Sequence, residues 1–131
     1  MPLALYVALG SAVGGVSRFA LGGLLQRLVG TGFPFATLVI NVTGSALIGF
    51  LLRYAVSTPA VRPELRALLT VGFCGGYTTF STFSYETLAL LEDADWRRAT
   101  LYVLASVLGS LLATFAGFVL AREIVALRAR W

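Results

Sequence analysis

The chain has 131 residues, of which 58% are hydrophobic and only 12% charged, against about 25% charged in soluble domains. Its ten basic residues are all arginine and outnumber the acidic ones, for a formal net charge of +4. In so apolar a chain these read as membrane-surface anchors rather than a nucleic-acid face. With no histidine and a single cysteine, Cys74, an intramolecular disulfide, the common transition-metal sites and Ser-His-Asp or Cys-His catalysis are excluded.

Residues 28–52, 67–85 and 99–121 carry no charged side chain, and residues 2–26 carry only Arg18. A membrane span needs roughly 20 apolar residues. The expected fold is therefore an all-α membrane protein with four transmembrane helices, a single domain over residues 1–131 embedded in a lipid bilayer. The N-terminal stretch lacks the positive start of a signal peptide, and no polar mature region follows it, so it reads as the first permanent span.

That first span is expected over about residues 3–28. Gly10 and Gly14 form a small-xxx-small pair that admits another helix closely. Arg18 lies on the order of 20 Å along this helix, either as an anchoring or fold-locking residue or in contact with a ligand. Gly30 to Pro34 reads as a turn, with Pro34 suited to a helix start. The second span, about residues 35–54, repeats Thr37, Asn41, Ser45 and Gly49 at four-residue intervals, one small and polar stripe. Asn41 should face protein or a pore, and packing and ligand roles both remain open for it.

Residues 55–66 form a loop with helix breakers and mixed charge. The third span, about residues 67–91, contains the unusual stretch Thr70 to Thr87. Gly72, Gly75 and Gly76 weaken a helix by about 1 kcal/mol each relative to Ala. The hydroxyls of Thr78, Thr79, Ser81, Thr82, Ser84, Tyr85 and Thr87 follow closely. Irregular backbone survives in a bilayer only where protein or a water-filled cavity satisfies it, so this span is expected to be broken mid-membrane around Gly75–Thr78. Phe80 and Phe83 share a helical face, a pattern that taken alone signals core packing. Glu86 is either interfacial or part of an ion path. After a charged loop at 92–98, the fourth span covers about residues 99–122. There Tyr102, Ser106, Ser110 and Thr114 form a hydroxyl stripe, read as a polar track in preference to interhelical glue. A basic interfacial tail ends at Trp131.

Hydroxyl and amide hydrogens can replace part of an anion's hydration shell, and phenyl edges are the positive part of the aromatic quadrupole. Carbonyls freed at Gly75–Thr78 can hold a hard cation. One chain supplies too few helices to enclose both, so a homodimer is expected. Three runs then become recognisable: Gly14-Gly15-Val16-Ser17-Arg18-Phe19; Thr37-Leu38-Val39-Ile40-Asn41-Val42-Thr43-Gly44; and Gly72-Phe73-Cys74-Gly75-Gly76-Tyr77-Thr78-Thr79-Phe80-Ser81-Thr82-Phe83-Ser84. On these the chain closely resembles the Fluc (CrcB) family of fluoride channels over nearly its whole length.

The resemblance implies an antiparallel, dual-topology homodimer in a bacterial inner or plasma membrane, with two fluoride pores. It implies passive export of F⁻ that lowers intracellular fluoride and confers resistance to its toxicity, with no enzymatic step, nucleotide or nucleic acid. A structural Na⁺ at the dimer centre would be held by the backbone carbonyls of Gly75 and Thr78 from both subunits. Phe80 and Phe83 become the fluoride-facing rings, which reverses the packing reading. Asn41 becomes the pore amide, and Tyr102, Ser106 and Ser110 the polar track, with Thr82 and Glu86 also lining the pore. One feature runs against dual topology: Arg53, Arg62, Arg66, Arg122, Arg128 and Arg130 share one side, against Arg27, Arg97 and Arg98 on the other. Two other classes compete, a small proton-coupled exporter and a non-transporting assembly protein. The exporter would want an embedded carboxylate that the first span lacks.

Overall fold

A computed structural model describes residues 2–131, and every regular element in it is helical. Helix α1 spans Leu3–Val29 and α2 spans Phe35–Ser57. Short α3 (Pro63–Ala67) runs into a π-helix at Leu68–Cys74 and then α4 (Gly75–Tyr77). Helix α5 spans Phe80–Glu92 and α6 spans Trp96–Arg128. Three of these, α1, α2 and α6, are long and apolar enough to cross a membrane. Their outer surfaces suit lipid: Phe19 is 84% exposed and Leu112 69%, which water would penalise by about 25 cal/mol for each Å² of apolar surface. The chain is an integral, multi-pass membrane protein.

The ends of the elements follow local chemistry. Helix α1 stops where Gly30 takes φ 85°, a left-handed conformation that residues with a Cβ rarely adopt. Pro63 opens α3 at a position where its missing N–H is no loss. Asp95 caps α6 by accepting from the Arg98 amide at 3.1 Å. Helix α6 does not end at Arg122 as its apolar stretch predicts. It continues to Arg128, so the expected interfacial tail is mostly an extension of the same rod.

The interruption in the third apolar stretch also falls elsewhere than its glycines suggest. Gly75 is helical (φ −64°, ψ −39°), and the backbone becomes extended only at Thr78 (φ −83°, ψ 159°) and Thr79 (φ −151°, ψ 116°). Gly72 and Gly76 serve close approach instead. A Cβ on Gly72 would meet the Gly10 Cα at 2.9 Å, and one on Gly76 would meet the Ser11 Cα at the same distance. Gly10 and Gly14 return this contact from α1, where a Cβ would strike the backbone of Leu68 and Phe73. The small-xxx-small pair therefore docks α1 against the π-helix and α4.

Helices α2 and α6 form the broadest interface in the molecule. Gly49 sits against the Thr114 backbone, and Gly117 against that of Ala46 and Phe50. Gly117→Ala is expected to destabilise the fold by about 1–3 kcal/mol, because the obstacle is backbone and cannot rotate away. Unfolding in detergent measures the loss; the control Gly23→Ala, where a Cβ meets open space, should change little.

Candidate functional site

The extended pair Thr78–Thr79 is held by α2. Asn41 Nδ2 donates to the Thr79 carbonyl at 2.9 Å, and the Thr79 amide donates to Asn41 Oδ1 at 2.8 Å. One carboxamide thus satisfies both backbone groups of a residue that leaves the helix. Thr79 also caps α5, its Oγ1 accepting from the Thr82 amide at 3.2 Å. In a continuous helix the Thr79 amide would bond the Gly75 carbonyl and the Thr82 amide the Thr78 carbonyl. Both amides are diverted, so those two carbonyls lose their helical donors.

Two cavities flank this point. The larger is an open, mostly apolar groove of about 720 Å³. It brings together Asn41, Gly75, Thr78, Phe80, Phe83, Ser106 and Ser110. Phe80 is 78% exposed, whereas Phe83 is buried. Their ring centroids lie 5.4 Å apart with the planes tilted by 50°. Ser106 is buried too, and its Oγ has no hydrogen-bond partner among the described residues. Buried hydroxyls are seldom left so.

The second cavity, about 480 Å³, lies on the α1 side and holds Thr82 and Glu86 together with Arg18, Ser81 and Thr37. Thr82 is exposed there. The candidate residues are thus divided between two spaces. Tyr102, with no exposed surface, lines neither space. Its hydroxyl donates to Glu86 Oε2 at 2.6 Å, and Thr37 Oγ1 donates to Glu86 Oε1 at 2.8 Å. The Tyr102 ring lies 5.2 Å from that of Phe83 and meets Phe33 edge-on at 5.6 Å. A chain of contacts therefore runs from the carboxylate through Tyr102 to the phenylalanine pair.

The polar stripes resolve into distinct roles. On α2, Thr37 reaches Glu86, Asn41 reaches Thr79, Ser45 lines the groove and Gly49 packs. On α6, Thr114 Oγ1 bonds the Ser110 carbonyl one turn back at 2.9 Å, which removes it from the track. Thr79 and Thr37 are the residues that sequence reasoning left out of the site. Thr79 carried a signal, a threonine standing immediately before a helix start. Thr37 lies one turn before Asn41 on the same face. Arg18 forms no ion pair among the described residues and shares the second cavity with Glu86.

Broken backbone, satisfied from a neighbouring helix and flanked by two partly polar cavities, defines an integral membrane protein built around an interior polar site rather than a simple helical anchor. The model of the family described as CrcB-like protein, camphor resistance (CrcB), matches residues 5–118. The chain belongs to the CrcB family. Among its relatives, a protein of Geobacter sulfurreducens named fluoride-specific ion channel FluC is 48% identical over 124 residues, covering 95% of this chain and 100% of its own. Proteins of the same name from Chlorobium phaeobacteroides and Chlorobaculum tepidum are 48% and 49% identical over 118 residues, each covering 90% of this chain and 91% and 93% of theirs.

Proposed function

We propose that this protein is a fluoride-selective ion channel that lets F⁻ leave the cytoplasm passively, and that it is not an enzyme. Its relatives carry that name at high identity over nearly the full chain. The observation that carries the reading into the molecule is the groove in which Ser106 offers an unpaired buried hydroxyl beside Phe80 and Phe83. A small, strongly hydrated anion enters a span only where donors replace its water. Hydroxyl hydrogens and the positive ring edges are what this groove offers. Export needs no coupled energy source, since a negative-inside potential drives F⁻ outward by about 2.3 kcal/mol per 100 mV.

The working unit of this proposal is an antiparallel, dual-topology homodimer. Each subunit crosses four times, the third crossing being assembled from α3, the π-helix, α4 and α5 with its break mid-membrane. Phe80 and Gly75 are exposed in the single chain, as a surface covered by a second copy would be. The pore is assigned to Asn41, Phe80, Phe83, Tyr102, Ser106 and Ser110, with Thr82 and Glu86 lining its other part. Asn41 acts by holding the break, and Tyr102 by linking Glu86 to Phe83.

A sodium ion fits the Gly75 and Thr78 carbonyls, whose helical donors are diverted elsewhere. Two copies would bring four hard oxygen ligands to a two-fold axis. Such an ion would supply fixed positive charge at the dimer centre. Purification with potassium or an organic cation in place of sodium is expected to raise the monomer fraction in cross-linking. An unchanged dimer fraction would remove the cation site from the proposal.

Growth tests the function in cells. Expressed in bacteria made fluoride-sensitive by deletion of their own exporters, the protein should restore growth in millimolar fluoride. Failure to do so at normal membrane expression would count against export.

A further inference from the structure

The chain's net charge is not shared between its ends. At the end where the last turns of α2 and α6 meet lie six arginines against Glu64 and Glu123; at the other, Arg27, Arg97 and Arg98 face Glu92, Asp93 and Asp95. Arg18 and Glu86 lie between. The whole formal +4 therefore resides at one end. There Arg53 places its guanidinium 5.0 Å from the centre of the Phe118 ring. Its Nε is buried with no partner among the described residues. Arg128 lies over the Tyr54 ring at 5.6 Å and donates to the Tyr54 hydroxyl, and Tyr54 stacks on Phe50.

Depth decides what this cluster faces. From Ala99, where the apolar stretch of α6 begins, to Phe118 is about 30 Å at 1.5 Å per residue, which matches the hydrocarbon thickness of a bilayer. Arg53 and Phe118 thus sit at the hydrocarbon boundary, and Arg128 lies beyond it among headgroups. Arginine presents a fork of donors that matches phosphate oxygens. Here the acidic residues that could compete are engaged elsewhere: Glu123 pairs with Arg122 at 3.0 Å and Glu64 with Arg62 at 3.6 Å.

We infer that Arg53, Tyr54 and Arg128 form a binding site for the phosphate headgroup of an anionic phospholipid. Arg53, its guanidinium held against the Phe118 ring, turns its terminal amino groups to the headgroup at the hydrocarbon edge, and Arg128, oriented by Tyr54, closes on it from the aqueous side. The lipid's acyl chains would lie along the exposed apolar flank of α6.

The test is native mass spectrometry of the full chain from micelles containing equal phosphatidylglycerol and phosphatidylcholine. Wild type is expected to retain phosphatidylglycerol with a preference of about tenfold, the scale of one to two arginine–headgroup attractions. Arg53→Gln with Arg128→Gln should bring retention close to parity, whereas Arg97→Gln with Arg98→Gln at the opposite end should leave the preference intact. Arg53→Lys keeps the charge and serves as the mild variant should the double substitution fail to fold. Because lysine lacks the guanidinium fork that matches phosphate oxygens, it should also reduce the preference. Equal retention of both lipids by wild type, or a preference unchanged in Arg53→Lys and the double variant, would overturn the site. Displacement of the lipid by millimolar inorganic phosphate would reassign it to free anion and defeat the lipid proposal. Lipid retention is read without ion flux, so it stands or falls separately from the proposed conduction.

Discussion

Phe80→Ile is expected to lower fluoride flux by about 100-fold or more, the scale of losing one preorganised stabilising group in a low-dielectric site, while leaving the fold intact. Isoleucine keeps apolar bulk but has no quadrupole, so the loss tests ring electrostatics rather than hydrophobicity. Phe80 suits this test because it is 78% exposed in the single chain, and its truncation opens no cavity in the subunit core. Phe83→Ile should lose flux as severely. It should also lower stability by a few kcal/mol at most, because the Phe83 ring is buried against Tyr102. The comparison separates function from packing. If Phe80→Ile conducts normally, or if it mainly disrupts the dimer, the ring acts as an interface residue and the pore assignment fails.

Asn41→Ala should destabilise the protein by about 2–6 kcal/mol, since it strands two buried backbone groups at about 1–3 kcal/mol each. Both the Thr79 amide and its carbonyl depend on that carboxamide. Asn41→Asp keeps an acceptor for the Thr79 amide but sets a carboxylate oxygen against the Thr79 carbonyl and buries an unpaired negative charge. It should be destabilised at least as much as Asn41→Ala and conduct anions poorly. Thermal unfolding in detergent measures the first effect and fluoride flux the second. Wild-type stability in Asn41→Ala would show that water or another group satisfies Thr79.

Much of this organisation is legible in the sequence because a bilayer punishes exposed polarity. The long runs with at most one charge located α1, α2 and α6. The four-residue stripes resolved into side chains that bond or pack against other elements (Thr37, Asn41, Gly49), that line the groove (Ser45, Ser106, Ser110) and one that bonds its own helix (Thr114). The glycines of the third stretch misled about position, because a glycine that weakens a helix also lets one pack closely. Gly72 and Gly76 do the second, and only the presence of α1 decides between the two uses. The interruption instead falls where Asn41, nearly forty residues earlier, competes for the Thr79 backbone. No local rule reports such a partner. The π-helix at Leu68–Cys74, a rare conformation, packs against the same helix α1. The division of the candidate residues between two cavities was also hidden, because it depends on how α5, which carries both Phe83 and Glu86, is seated against α2 and α6.

The central claim is selective, passive fluoride conduction, and efflux from liposomes tests it most directly. Purified dimeric protein is reconstituted into vesicles loaded with both fluoride and chloride, with no proton gradient, and both ions are followed by selective electrodes as a potassium ionophore releases the charge. Rapid loss of fluoride with chloride retained, abolished by Phe80→Ile, is the predicted result. Fluoride retained in well-reconstituted vesicles, or released only when a proton gradient is imposed, would contradict it.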